Sequence, residues 1–105
     1  MARLRDWAKY VRSKNAGPFW VTIDIFCESD EAFGVIGRAP ALGAEAIGAL
    51  YGAPAEEVRI FKDQALKVIK ISFPRQIVQG SDRDADSHAG QYFVPLLDVL
   101  VDADA

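Results

Sequence analysis

A single cysteine and a single histidine in 105 residues narrow the chemistry at once. Cys27 alone cannot close an intrachain disulfide, and a lone thiol fits a reducing compartment. His88 alone leaves no His-pair metal site within one chain. No apolar run approaches the ~20 residues of a membrane-spanning helix. The opening stretch Met1-Ala2-Arg3-Leu4-Arg5-Asp6 turns polar where a secretory signal would begin its apolar segment. A basic excess is missing too: 12 Lys and Arg against 15 Asp and Glu leave a net charge of -3, which argues against a general nucleic-acid binder. The phosphate-cradling pattern G-x-x-x-x-G-K-[ST] is absent. These absences lead us to expect a small cytoplasmic protein with no membrane and no nucleic-acid partner.

What is present describes one ordinary globular domain over residues 1–105. Half of the residues are hydrophobic, 26% are charged, and mean hydropathy is +0.04. Such a length supports a single two-layer core. Leu4, Trp7, Ala8 and Val11 fall on one helical stripe, which predicts a short amphipathic helix over 4–12, stopped by Asn15-Ala16-Gly17-Pro18. Residues 20–27 alternate, with Val21, Ile23, Ile25 and Cys27 on one face and Trp20, Thr22, Asp24 and Phe26 on the other, the pattern of a half-buried strand. Ser29 with Asp30 and Glu31 marks a helix start. A second helix is expected from about Gly43 to Tyr51, capped by Gly52. Residues 58–61 and 65–73 read as an antiparallel hairpin around Lys62-Asp63-Gln64. A last strand is expected over 96–101, with Pro95 at its start. The expected fold is α+β: a ferredoxin-like two-layer sandwich lacking its second crossover helix, with a mostly antiparallel sheet and helices on one face.

Two segments carry residues suited to chemistry. Arg12-Ser13-Lys14-Asn15-Ala16-Gly17 gathers two cations, a hydroxyl and an amide beside a glycine, a composition that can hold a carboxylate or phosphate. The plainer reading is a solvated helix end whose cations complement the dipole. Residues 74–90 lack periodicity, and loops of that length are usually functional or disordered. Within them Asp82, Asp84 and Asp86 alternate as in a calcium loop, but Ser87 and Phe93 stand where its glycine and glutamate belong. Asp84 and Asp86 with His88 could instead bind a divalent metal or act as general acid and base or, more simply, form a solvated loop with Asx-turns. Cys27 reads as a small hydrophobe. Asp24 would need a partner if helices covered its face, because a lone buried carboxylate is costly. Trp7, Trp20, Phe33 and Tyr51 read as core or interface aromatics.

Arg12-Ser13-Lys14-Asn15-Ala16-Gly17-Pro18-Phe19, Leu50-Tyr51-Gly52 and Pro95-Leu96-Leu97-Asp98, in that order, resemble the signatures of the uncharacterised "domain of unknown function 4387" family over nearly the whole chain. That family is similar to the small ferredoxin-fold segment associated with acyclic terpene utilisation proteins. By this resemblance the family's Gly-Ser turn falls on Gly80 and Ser81, its Asp-Thr-Asp on Asp84, Ala85 and Asp86, and a following glutamine on Gln91. The chain departs from the pattern at Ala85, at His88 in place of an aromatic, and at Phe93 in place of a histidine. The resemblance favours the 12–17 segment as a site over the plain helix end.

The resemblance implies a small subunit or companion of a two-component enzyme of carboxylic-acid or acyl-CoA metabolism, and the leading expectation is a lyase or hydratase acting on a small carboxylate or its CoA ester. Arg12, Ser13, Lys14, Asn15, Gly17, Ser81 and Gln91 would bind the substrate, and Asp84, Asp86 and His88 would serve the proton chemistry. A larger acyclic-terpene-utilisation-type protein is the expected partner, and the chain could also form a homo-oligomer. No metal site and no particular cofactor is indicated. The competing readings are a non-catalytic module that stabilises that larger partner and, by fold analogy alone, a ligand-sensing domain.

Overall fold

A computed structural model of the chain describes residues 3–16, 19–74 and 94–101. Alternation along its central strand organises the rest. In β2 (Trp20–Cys27), Val21, Ile23, Ile25 and Cys27 are buried on one face. β1 (Ala8–Asn15) pairs with one side of β2 and β4 (Val68–Pro74) with the other; β3 (Arg59–Asp63) pairs with β4, all antiparallel, in the order β1-β2-β4-β3. Phe73, Ile71 and Ile69 stand opposite Val21, Ile23 and Ile25, so aromatic and β-branched side chains meet across the ladder on the buried face.

Two helices complete that core. α2 (Asp30–Arg38) starts at Ser29, whose Oγ accepts from the Ala32 N–H at 3.1 Å, and Asp30 and Glu31 oppose the dipole in its first turn. α3 (Ala44–Tyr51) follows a 3-10 turn at Pro40–Leu42 and ends on Gly52, whose φ of 73° is the left-handed cap conformation glycine adopts freely. Ile36, Leu42 and Ile47 are buried with the strand residues in one cluster. Tyr51 stacks on Phe73 with ring centroids 4.6 Å apart, and burial pushes its phenol well above the usual tyrosine range.

The architecture is the expected α+β two-layer sandwich. β2 and β3 run parallel with β4 between them, because each is antiparallel to β4. Together with α2 and α3 they form the split β-α-β unit of ferredoxin-like folds, and β1 takes the remaining edge from the start of the chain.

Three local expectations are corrected. The predicted helix over 4–12 is only one turn, α1 (Leu4–Trp7), and the chain is extended from Ala8. Leu4 and Val11 are buried under either reading, but from residue 10 the burial alternates, and pairing with β2 satisfies the backbone of both strands. The hairpin turn lies later than expected, at 64–67: the Leu66 N–H donates to Asp63 Oδ1 at 3.1 Å and Lys67 takes a positive φ of 54°. The predicted strand at 96–101 is a 3-10 segment, Val94–Asp98, after which Leu100 bridges to Arg3. Pro95 cannot donate to a ladder and suits the first turn of a helix instead. Leu96 and Val101 are buried, and the Leu4 N–H donates to the Val99 carbonyl, which ties the two ends of the described chain together.

Two helical glycines should respond with opposite sign to the same substitution. A Cβ on Gly48 of α3 would lie 2.5 Å from the Ala53 carbonyl oxygen, whereas a Cβ on Gly34 of α2 would meet only the guanidinium tip of Arg38 at 2.9 Å. Replacing glycine by alanine inside a helix gains about 1 kcal/mol where space allows. Gly34→Ala should therefore stabilise by about 0.5–1 kcal/mol. Gly48→Ala should destabilise by about 1–3 kcal/mol, because backbone must shift. Urea unfolding of both variants checks this; a gain in stability for Gly48→Ala would show that the α3 to Ala53 approach is looser than described.

Candidate functional site

Because the helices cover one face of the sheet, the other face gathers every alternate side chain of four strands. The register places these in cross-strand rows. Lys14 stands opposite Thr22, Thr22 opposite Ser72, and Ser72 opposite Arg59. The next row runs Arg12, Asp24, Lys70, Phe61, and the one after it Tyr10, Phe26, Val68, Asp63. Trp20 and Pro74 close the end nearest the β1–β2 turn.

The rows differ in character. The first holds two cations and no carboxylate, with the Thr22 and Ser72 hydroxyls 3.3 Å apart between them. In the second, Asp24 is 8% exposed although it faces away from the helices, and its Oδ1 is buried without a hydrogen-bond partner. The third is an aromatic shelf: Tyr10 and Phe26 stack with centroids 4.4 Å apart. Arg12 lies over this shelf, its guanidinium carbon 5.0 Å from the Phe26 centroid, and Arg59 lies 5.6 Å over the Trp20 ring. These cation–π contacts hold both guanidinium groups along the face.

The surface is concave at several points. A groove of about 660 Å³ runs between Asp24, Phe26, Phe61 and Lys70. A cleft of about 260 Å³ is lined by Arg12, Ser13, Lys14 and Asp24, and another of about 280 Å³ by Ala16, Trp20, Arg59, Phe61 and Ser72. Among the described residues, four cations thus border a sheet face in a chain whose net charge is -3.

The sequence-predicted residues are distributed unevenly over this surface. Arg12, Ser13, Lys14 and Asn15 lie in β1, not in a turn at a helix end. Strand alternation then splits them: Arg12 and Lys14 point with Asp24 and Thr22 to the open face, while Ser13 and Asn15 share the helix-side face with Ile23 and Val21. Gly17, Gly80, Ser81, Asp84, Asp86, His88, Gln91 and Phe93 lie outside the described residues. The chain leaves β4 at Pro74, directly opposite Trp20 and so at the end that carries the β1–β2 turn.

Sequence reading missed Thr22, Arg59, Lys70 and Ser72. Their signal was the polar half of each strand's alternation, but which polar residues meet depends on pairing between strands distant in sequence. Asp24 faces away from α2 and α3, so the helix-covered case considered for it does not arise, yet it is buried all the same. Cys27 lies in the core, and burial pushes its thiol up, in keeping with a structural role. Trp7, Phe33 and Tyr51 pack against the core, whereas Trp20 belongs to the open face.

Among the described residues no group of three or more His, Cys, Asp and Glu side chains could hold a metal ion. No described helix is long and apolar enough to cross a membrane. No curated protein and no solved structure matches the chain. Residues 4–100, from α1 to the closing bridge at Leu100, match the profile of the domain of unknown function 4387, and the chain belongs to that family.

Proposed function

We propose that this chain is the small subunit of a two-component enzyme, a lyase or hydratase acting on a small carboxylate or its CoA ester. The observation that carries the reading is the placement of Arg12 and Lys14, with Arg59 and Lys70, around the Thr22 and Ser72 hydroxyls on the helix-free sheet face. Cations with adjacent hydroxyl donors are the chemistry that grips a carboxylate. In this reading Arg12 and Lys14 hold the anionic group, with Ser13, Asn15 and Gly17 framing the segment that carries them. Asp84 or Asp86 exchanges a proton, His88 stands in for the family's missing histidine, and Ser81 and Gln91 contact the substrate. The larger partner is an acyclic-terpene-utilisation-type protein, and both chains work in the cytoplasm.

One observation favours a second reading, a non-catalytic module that stabilises that partner. Phe61 is 59% exposed on the same face, and Tyr10, Phe19 and Leu66 are also exposed. Large apolar side chains left exposed in this way suit a docking surface. Co-expression with the larger protein separates the two. The subunit reading expects a stable heteromer that turns over carboxylates or acyl-CoAs only with both chains present. A heteromer whose activity needs the large chain alone supports the module. Robust turnover by the purified 105-residue chain as a monomer would overturn both.

A further inference from the structure

The unpartnered oxygen of Asp24 restricts the ligand further, in a way that rests on the anion-binding reading above. A buried carboxylate oxygen without a donor costs free energy, so a site that keeps one has a use for it or loses stability for nothing. Asp24 Oδ1 is such an oxygen, and the Asp24 side chain borders both the 660 Å³ groove and the Arg12–Lys14 cleft. Its cross-strand neighbours are Arg12 and Lys70. Arg12 is drawn instead over the Phe26 and Tyr10 rings.

The two polar rows therefore ask for different groups. An anion placed against the Asp24 row would meet a carboxylate, whereas the Lys14-Thr22-Ser72-Arg59 row offers two cations, two hydroxyls and, among the described residues, no opposing charge. The anionic group belongs on that row. The Asp24 row needs a hydrogen-bond donor. An ammonium there would face the like charges of Arg12 and Lys70; a neutral hydroxyl would not. Alternate residues on a strand are about 6.7 Å apart, so the two ligand groups are separated by a few bonds.

We infer that the site takes a hydroxycarboxylate, or its hydroxyacyl ester, with the anionic group between Lys14 and Arg59 over Thr22 and Ser72 and the hydroxyl donating to Asp24. Oδ1 is buried in the free chain, so the carboxylate turns about its terminal torsion to meet the hydroxyl, and binding supplies the donor it lacks. Asp24 then decides between hydroxylated and unhydroxylated acids, while Lys14 and Arg59 bind both.

Three related probes test this on the full chain: γ-hydroxybutyrate, butyrate and γ-aminobutyrate, titrated by calorimetry or by NMR shifts. The hydroxy acid should bind roughly 10- to 100-fold more tightly than butyrate, the range expected for a hydrogen bond to a charged acceptor. Asp24→Ala should erase that preference, and Asp24→Asn, which keeps an acceptor oxygen, should retain part of it. Lys14→Ala and Arg59→Ala should weaken both acids alike. Equal binding of butyrate and γ-hydroxybutyrate, a preference that survives Asp24→Ala, or tighter binding of γ-aminobutyrate would overturn the hydroxyl assignment alone. Butyrate binding indifferent to Lys14→Ala and Arg59→Ala, or no binding of any probe, would overturn the anion grip beneath it as well.

Discussion

Phe73→Ala should destabilise the chain by about 3–5 kcal/mol, the usual cost of emptying a fully buried aromatic site. Phe73 is 1% exposed, stands opposite Val21 in the sheet, and stacks on Tyr51 of α3, so it joins the two layers as well as filling the core. Removing the ring leaves a cavity between a strand and a helix that cannot both move inward. Against a total stability of about 5–15 kcal/mol, such a loss leaves the domain close to unfolding. In a domain near this size each kcal/mol shifts the melting temperature by about 4–8 °C, so a fall of roughly 15–30 °C is expected. Phe61→Ala is the control, since the same residue type is 59% exposed on β3 and its loss should change stability by only about 0.5 kcal/mol. Comparable melting curves for the two variants would contradict the assignment of faces on which the site depends.

Arg12→Ala combined with Lys14→Ala should remove carboxylate binding almost completely while sparing the fold. A charge-assisted hydrogen bond is worth about 1.5–3 kcal/mol, so losing the one from Lys14 lowers affinity by about 10- to 100-fold, and losing the Arg12 charge beside it lowers affinity further. Most of that loss should come from Lys14, because Arg12 stands in the row of Asp24 and lies over the Phe26 ring. Both side chains are on the solvent side of an edge strand, where substitutions usually change stability by about 0.5 kcal/mol. Arg12 also contributes a cation–π contact with Phe26, and Arg12→Lys should keep part of the binding. Butyrate titration and thermal melting of the same samples read both effects. A large fall in melting temperature with little change in binding would make these cations structural.

Local chemistry made much of this architecture legible. Ser29, Asp30 and Glu31 announce α2 because a short polar side chain and early acids satisfy a helix start whatever lies around it. Gly52 ends α3 for a comparable reason, and the alternation of 20–27 defines β2 without reference to its neighbours. The N-terminal segment was not legible. Leu4, Trp7, Ala8 and Val11 satisfy a helical stripe, and only the availability of the β2 edge makes extension from Ala8 the better use of the backbone. The same lack of context made residues 96–101 look like a strand, although Pro95 favours the 3-10 turn seen there.

The candidate site divides along the same line. Arg12 and Lys14 stand out in the sequence because they are close together beside polar neighbours, and proximity along the chain is visible there. Arg59, Lys70, Ser72 and Thr22 come from three strands, and nothing local says that Thr22 will face Ser72 or that Asp24 will face Lys70. Sequence alone determined the caps of α2 and α3, the buried half of β2 and the identity of two cations, because each follows from steric and hydrogen-bonding rules within a few residues. Tertiary structure decided which half of each strand looks outward together, separated Ser13 and Asn15 from their charged neighbours, and surrounded an unpartnered Asp24 with cations. It decided these because register is a property of paired strands, and a shift of one residue would exchange the two faces of the sheet.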